Sequence, residues 1–440
     1  MSLRGTMRIN KNGNLEINKC DTVELARKFG TPLYVFDEAA IRDVCRSYTK
    51  IFNENYPNSQ VIYASKAFMT KAICRIMEEE GLGLDVVSGG ELYTAIKADF
   101  PMEQVYFHGN NKSAAELEMA LQAGVGSIVV DNLYELELLN DIAGKMNKKA
   151  QIFFRVTPGI EAHTHSYIQT GQTDSKFGLG ISDGRAMEAI EKALSMEGIV
   201  LKGLHCHIGS QIFDLASYKA ATRVMMEFMK EIRDKHGIVL PELNMGGGLG
   251  IKYSSADVPT PVEEYGKALL ETIKETSKEY GLTLPKLIVE PGRSIIGEAG
   301  TTLYTIGSIK EILGIRTYVA IDGGMGDNPR VALYQAVYEA VVANKIDCDP
   351  EDVVTICGKC CESGDVLIWD IKLPKVESGD ILAVFSTGAY NYSMASNYNR
   401  LPRPAAVLVG DGEANVIIER ESYEDLVKND VIPERLKKRV

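Results

Sequence analysis

Apolar runs about one strand long recur at 61–66, 82–87, 105–109, 127–131, 151–156, 201–207, 242–246 and 286–291. Most are separated by stretches whose apolar residues return every three or four positions, as in 113–124, 133–146, 218–236 and 262–280. That spacing lines one face of a helix, whereas the short runs suit buried strands. Eight strands alternating with helices over about 230 residues predict a (β/α)8 barrel. A doubly wound open sheet would need no count of eight, and no Gly-x-Gly-x-x-Gly turn follows the first strand, as it does in that architecture.

The pattern changes after about residue 295. Extended runs at 302–309, 317–321, 353–357, 366–373, 381–385 and 405–420 take over. Turn sequences such as Ser378-Gly379-Asp380 and Gly410-Asp411-Gly412 punctuate them, which predicts antiparallel β structure as a sandwich or barrel. Leu33-Tyr34-Val35-Phe36 precedes the barrel and reads as a strand of the same β domain. The predicted fold class is α/β, with a barrel domain at 38–292 and a β domain made of 1–37 and 293–440.

Composition narrows the partners. The chain has 440 residues, 45% hydrophobic and 25% charged, enough for two domains and a large core. A formal net charge of -12 argues against nucleic acid, whose phosphates would repel it. No apolar run is long enough to span a bilayer and no signal-type stretch opens the chain, so a cytoplasmic protein is expected. Eight cysteines are too sparse for a disulfide scaffold. Cys357-Gly358-Lys359-Cys360-Cys361 supplies one C-x-x-C without the second pair or nearby histidine that zinc requires, so no metal is expected. A catalytic thiol within that cluster is the other option.

Candidate chemistry collects at the C-terminal ends of the predicted barrel strands, where barrel enzymes hold their catalytic groups. Lys66 follows Val61-Ile62-Tyr63-Ala64-Ser65 and precedes what reads as a helix beginning Ala67-Phe68-Met69. Such a lysine can carry an aldehyde cofactor as a Schiff base, or can be a surface lysine at a helix start. After the seventh strand, the glycines of Asn244-Met245-Gly246-Gly247-Gly248-Leu249-Gly250 let backbone N–H groups approach a phosphate, or simply build a tight loop. The eighth strand delivers Glu290-Pro291-Gly292-Arg293.

His205-Cys206-His207-Ile208-Gly209-Ser210 ends the sixth strand, and alternation sends His205 and His207 to one side. A zinc pair, a ring stacked on a planar cofactor and a buried hydrogen-bonded histidine all fit; stacking is favoured because no third metal ligand stands nearby in sequence. An amine, a glycine cradle, an imidazole and a carboxylate on one rim suit pyridoxal 5'-phosphate. Lys66 would form the imine, the glycine loop would hold the phosphate, and Glu290 would keep the pyridine nitrogen protonated.

Further motifs extend the pattern: Gly30-Thr31-Pro32-Leu33-Tyr34-Val35, Tyr63-Ala64-Ser65-Lys66-Ala67, Asp85-Val86-Val87-Ser88-Gly89-Gly90-Glu91 and Ser175-Lys176-Phe177-Gly178. Toward the C-terminus come Asp322-Gly323-Gly324-Met325, Arg330 with Ala332-Leu333-Tyr334, Cys361-Glu362-Ser363-Gly364-Asp365, Gly388-Ala389-Tyr390 and Arg403-Pro404-Ala405. With these the sequence resembles, over nearly its whole length, the diaminopimelate decarboxylases of the alanine-racemase-type fold group.

The resemblance implies a barrel plus a β domain of mixed N- and C-terminal origin, working as a homodimer whose active sites are shared between subunits. It implies that Lys66 carries the cofactor, His207 stacks on its ring and Glu290 pairs with the pyridine nitrogen. Ser210, Gly247, Gly248, Gly292 and Arg293 would hold the phosphate, with Asp85 and Tyr390 also contacting the cofactor. Arg293, Arg330 and Tyr334 would grip the distal carboxylate of meso-2,6-diaminopimelate, Glu362 its distal ammonium, and Tyr390 the substrate as well. Cys361 of one subunit would protonate the carbanion in the other. Two positions depart from the family pattern: Lys359 and Val331 stand where proline is common.

Independent chemistry supports the substrate. A zwitterionic distal head needs cations for its carboxylate, which arginine meets with two parallel donors, and an anion for its ammonium. A singly charged tail such as that of ornithine would not need the arginine pair. A thiol with an ordinary pKa of roughly 8.5 stays mostly protonated at neutral pH and can serve as an acid. The rival expectations are a decarboxylase of ornithine, arginine, D-lysine or carboxynorspermidine on the same scaffold, an amino-acid racemase using a tyrosine as second base, and a catalytically silent regulator. A polar lid is expected around Glu161-Ala162-His163-Thr164-His165.

Overall fold

The structure, a computed structural model, describes residues 3–160 and 175–437. The lid expected around 161–165 lies outside the described residues. The chain divides into two compact units, Ala40–Glu298 and Met1–Ala39 with Ala299–Val440. Arg293–Ile296, a single helical turn, therefore lies in the first unit.

In the first unit, strands Ser59–Ala64, Gly83–Val86, Val105–Phe107, Ser127–Val130, Ala150–Thr157, Ile199–His205, Glu242–Asn244 and Lys286–Val289 pair in parallel in that order. The last returns to pair with the first, closing the barrel. Its interior is filled by Ile62, Tyr106, Val129, Phe153 and Ile288, contributed by five strands. Below that layer Gln60 accepts from Tyr106 Oη (3.0 Å) and Lys286 Nζ (2.7 Å), which satisfies polar groups that burial would otherwise penalise. The barrel is a packed core, so chemistry is confined to its rim.

Helices begin where the sequence offers a cap. Ser88, Ser113, Asn132 and Asp214 each accept backbone N–H groups at the start of Gly89–Lys97, Ala114–Ala123, Leu133–Lys145 and Leu215–His236. Gly124, Gly237 and Gly281 end helices in the left-handed conformation. The helix expected to begin at Ala67 instead begins at Lys71, capped by Thr70, and a 3₁₀ turn over Ser65–Ala67 carries Lys66.

In the second unit the sheet runs Val366–Leu373, Asp352–Cys357, Arg316–Ile321, Gly300–Ile312, Leu33–Asp37, Ala405–Gly410, Glu413–Ile418. Ile381–Phe385 also pairs with Gly300–Ile312, and Ala340–Val342 with Ile381–Phe385. The N-terminal strand Leu33–Asp37 is thus an inner strand of a sheet built mainly from the C-terminal third. The sheet is mostly antiparallel, but two joints are parallel, Leu33–Asp37 with Ala405–Gly410 and Arg316–Ile321 with Asp352–Cys357. Each parallel pair joins strands distant in sequence, so no local turn signal marked it.

Candidate active site

Lys66 is exposed, whereas its neighbours Ala64, Ser65 and Ala67 are buried. The 3₁₀ turn lifts its side chain out of the packed interior, and Tyr63 Oη donates to Phe68 O (2.8 Å) to fix the following loop. The ends of the first and eighth strands are drawn together: Ala64 N–H donates to Pro291 O (3.0 Å), and a Cβ on Gly292 would lie 2.9 Å from that of Ala64. Only glycine at 292 lets the Glu290–Arg293 segment run so close to the lysine turn.

The glycine loop follows the seventh strand along an equally tight path. A Cβ on Gly247 would lie 2.0 Å from Glu290 O, and one on Gly248, at φ +113°, 2.4 Å from Gly209 O. Gly247 N–H points to His207 Nδ1 (3.3 Å), which leaves the ring proton on Nε2. Burial, then the nearby charges of Lys66 and Arg155, holds the half-buried His207 well below the ordinary imidazole range, so its ring is neutral. Arg293 is buried, donating to Ser210 Oγ (2.7 Å) and to Tyr253 Oη (2.5 Å). Ser210, Arg293 and the loop therefore form one donor-rich corner.

Glu290 lies just past the eighth strand and is 6% exposed. Asn244 Nδ2 donates to its Oε1 (2.7 Å), while Asn244 Oδ1 accepts from Gly246 N–H (2.9 Å), so one amide orients both the carboxylate and the loop. His108 Nε2 stands 2.9 Å from Oε1 and His205 Nε2 3.2 Å from Oε2. Burial alone would raise Glu290; the two imidazoles outweigh it and hold the carboxyl well below its usual range. His205 itself is pushed down to about 4 by burial, against the pull of Glu290.

The two histidines of the sixth-strand motif thus diverge. His205 faces Glu290 inside the barrel end, and His207, two residues later, has left the strand. His205 does gain the further metal-type ligands that its sequence neighbourhood lacked, since donor atoms of His108, His205 and Glu290 lie within 4.8 Å of one another. Asn244 Nδ2 donates to one oxygen of Glu290, His205 Nε2 meets the other, and His108 Nε2 stands close to the first.

His108, Asn244, Arg155 and Asp131 belong to this rim and were not singled out from sequence. Asp85 lies 3.7 Å from His108 Nε2, and burial holds it above the ordinary carboxylate range. Arg155 is stacked over Phe177 at 4.3 Å; burial lowers it, opposed by Asp131, Glu290 and Asp85. The position of His108 directly after a barrel strand was the available signal; its partners are remote in sequence.

The remaining predicted residues lie in the second unit. Arg330 is 7% exposed and opens the short helix Arg330–Tyr334; its Nη1 donates to Tyr338 Oη (2.6 Å), which donates to Asn391 Oδ1 (3.1 Å). Tyr334 is half-buried. Tyr390 sits at φ +62°, a left-handed conformation costly for a bulky side chain. Cys361 and Glu362 are exposed, with Cys361 N–H donating to Asn399 Oδ1 (2.7 Å) and Glu362 accepting from Gly364 N–H (3.3 Å).

Asp365 ties these loops together, accepting from Met325 N–H (2.7 Å) and Cys360 N–H (2.8 Å). Lys359 N–H donates to Gly323 O (2.9 Å), a bond proline could not make, so hydrogen bonding fixes the loop where ring rigidity is absent.

A closed barrel whose rim holds an exposed lysine, a glycine cradle and a buried anionic glutamate defines the class of pyridoxal-dependent decarboxylases, and the family model for their pyridoxal binding domain matches residues 39–297. Diaminopimelate decarboxylase of Bacillus subtilis (strain 168) is 54% identical over 431 residues, covering 98% of each chain. That of Bacillus methanolicus is 54% identical over 421 residues, covering 96% of this chain and 98% of its own. The crystal structure of diaminopimelate decarboxylase from M. jannaschii in co-complex with L-lysine matches with a TM-score of 0.92 at 40% identity, covering 98% of this chain and 99% of that chain. The chain belongs to the diaminopimelate decarboxylase family.

The rim fits pyridoxal phosphate on its own terms. The exposed Lys66 offers an amine, and Gly247 and Gly248 follow a path any Cβ would block. Ser210 and Arg293 supply polar donors beside them, and Glu290 is an anion poised for a protonated ring nitrogen.

Proposed function

We propose that the protein removes CO2 from meso-2,6-diaminopimelate to give L-lysine, using pyridoxal 5'-phosphate, as the last step of lysine synthesis. When bound, that cofactor supplies an aldehyde for amines and a pyridinium ring that takes up the electron pair left by CO2. The observation that carries the reading is the pairing, on one barrel rim, of exposed Lys66 with a Glu290 buried and held as an anion. Lys66 Nζ is the amine that attaches the cofactor. Glu290 keeps the ring nitrogen protonated, neutral His207 packs on the ring, and Asp85 and Tyr390 complete its surroundings. Ser210, Gly247, Gly248, Gly292 and Arg293 bind the phosphate.

Arg293, Arg330, Tyr334 and Tyr390 grip the substrate, the arginines meeting its distal carboxylate, and Glu362 meets its distal ammonium. Cys361 Sγ delivers the proton that replaces CO2 at carbon, from the partner subunit of a homodimer. Its exposure and the tie of its loop to Asp365 support a thiol held ready at the surface. Eight free cysteines fit a cytoplasmic setting, and no described helix is long and apolar enough to cross a membrane. Replacing Lys66 by Ala tests the assignment: the cofactor's long-wavelength absorbance and turnover should both vanish. A Lys66→Ala protein that still turns over substrate would contradict it.

A further inference from the structure

Glu290 is surrounded more elaborately than pairing with a ring nitrogen requires. His108 Nε2 stands 2.9 Å from Glu290 Oε1, off the line of a straight hydrogen bond, and 3.7 Å from Asp85 Oδ1. His205 Nε2 reaches the other oxygen at 3.2 Å, and the two rings meet edge to face with centroids 4.7 Å apart. Asp85, His108, His205, Asn244 and Glu290 are all buried, and each comes from the end of a different barrel strand. Chance packing of five polar side chains from five strands into a buried corner would be costly, because each buried polar group needs a partner. Of these five, His108 is the side chain within 4 Å of both carboxylates, and Arg155, outside the five, acts electrostatically on both as well.

We infer that His108 is a positioning residue of the cofactor site: its imidazole bridges Glu290 to Asp85, fixing the orientation of Glu290 and keeping it ionised to pair with the protonated pyridine nitrogen. The inference rests on the pyridoxal-phosphate reading above and adds to it a residue that acts through Glu290. His205 and Asn244 share the support, but each meets only Glu290 of the two carboxylates. Loss of His108 leaves Asp85 facing Glu290 without the intervening ring. One imidazole fewer then offsets the burial that raises the Glu290 carboxyl, and a Glu290 that takes up a proton no longer holds one on the ring nitrogen.

The test is a double-substitution cycle on the holoenzyme with His108→Ala, Glu290→Ala and both together. The readouts are the Kd of pyridoxal phosphate from reconstitution of apoprotein and the ratio of the cofactor's two absorption bands, beside kcat. His108→Ala should weaken cofactor binding by about tenfold, the scale seen when an outer partner of a directly ligating side chain is lost. It should move the band ratio toward that of Glu290→Ala and add nothing in the Glu290→Ala background. His108→Gln, whose amide can place a donor near the same oxygen, should restore part of the ratio, and it carries the cycle if the alanine variant does not fold. Equal effects of His108→Ala with and without Glu290, or an unchanged band ratio, would make His108 a packing residue and overturn the inference. A wild-type protein that forms no cofactor band would overturn the pyridoxal-phosphate reading itself, so the two failures are told apart.

Discussion

At the residue scale, burial and a few named partners decide protonation. Asp327 shows it away from the barrel rim: Tyr304 Oη (2.5 Å) and Gly324 N–H (2.8 Å) donate to its carboxylate, yet burial, helped by Asp365 and Asp322, pushes it up to about 7. An acid raised from its ordinary 3.8 to about 7 binds its proton more tightly folded than unfolded. Its contribution to stability is therefore complete below the unfolded value and is lost as pH rises through about 7. Denaturant unfolding between pH 4 and 7 should show a steeper loss of stability in wild type than in Asp327→Asn; equal slopes would contradict the assignment. Lys66 and Glu290 were legible in sequence because each follows a strand whose apolar run is visible. His108, Asn244 and Arg155 were not, because what defines them is a partner carried by another strand end.

At the element scale, the sequence located all eight barrel strands but carried several of them past their ends. The runs at 61–66, 201–207, 242–246 and 286–291 end as strands at 64, 205, 244 and 289. The overrun residues are those that leave the ladder to build the rim, Lys66, His207, Gly246 and Glu290 among them, and their apolar neighbours disguise the exit. The loop at 246–250 is the element most sensitive to one added atom. A Cβ on Gly247 would meet Glu290 O at 2.0 Å, so Gly247→Ala must displace either the cradle or the carboxylate segment. A shift of about 1 Å at a reacting centre can cost on the order of a hundredfold in rate. Gly247→Ala should lose activity on that scale together with cofactor affinity, and unchanged affinity measured by reconstitution would show that the loop is not the cradle.

At the scale of the whole molecule, two units with separate cores supply different parts of the proposed chemistry, the barrel the cofactor site and the β unit Arg330, Tyr334, Cys361, Glu362 and Tyr390. The β unit was legible as β structure, and Leu33–Asp37 as its N-terminal strand, but the two parallel joints were not. If Cys361 acts across a homodimer, Lys66→Ala and Cys361→Ala proteins, each inactive alone, should regain activity when mixed and allowed to exchange subunits. A mixture that stays inactive while exchange is shown by mass would place both groups in one subunit. The measurement that tests the central claim most directly is release of CO2 and lysine by the wild-type protein with pyridoxal phosphate. It should be run on meso-diaminopimelate beside ornithine, arginine, D-lysine and carboxynorspermidine. Strong preference for diaminopimelate, lost on replacing Arg330 by Ala, is the predicted result; better turnover of an amine lacking the distal carboxylate, or racemisation without CO2, would contradict it.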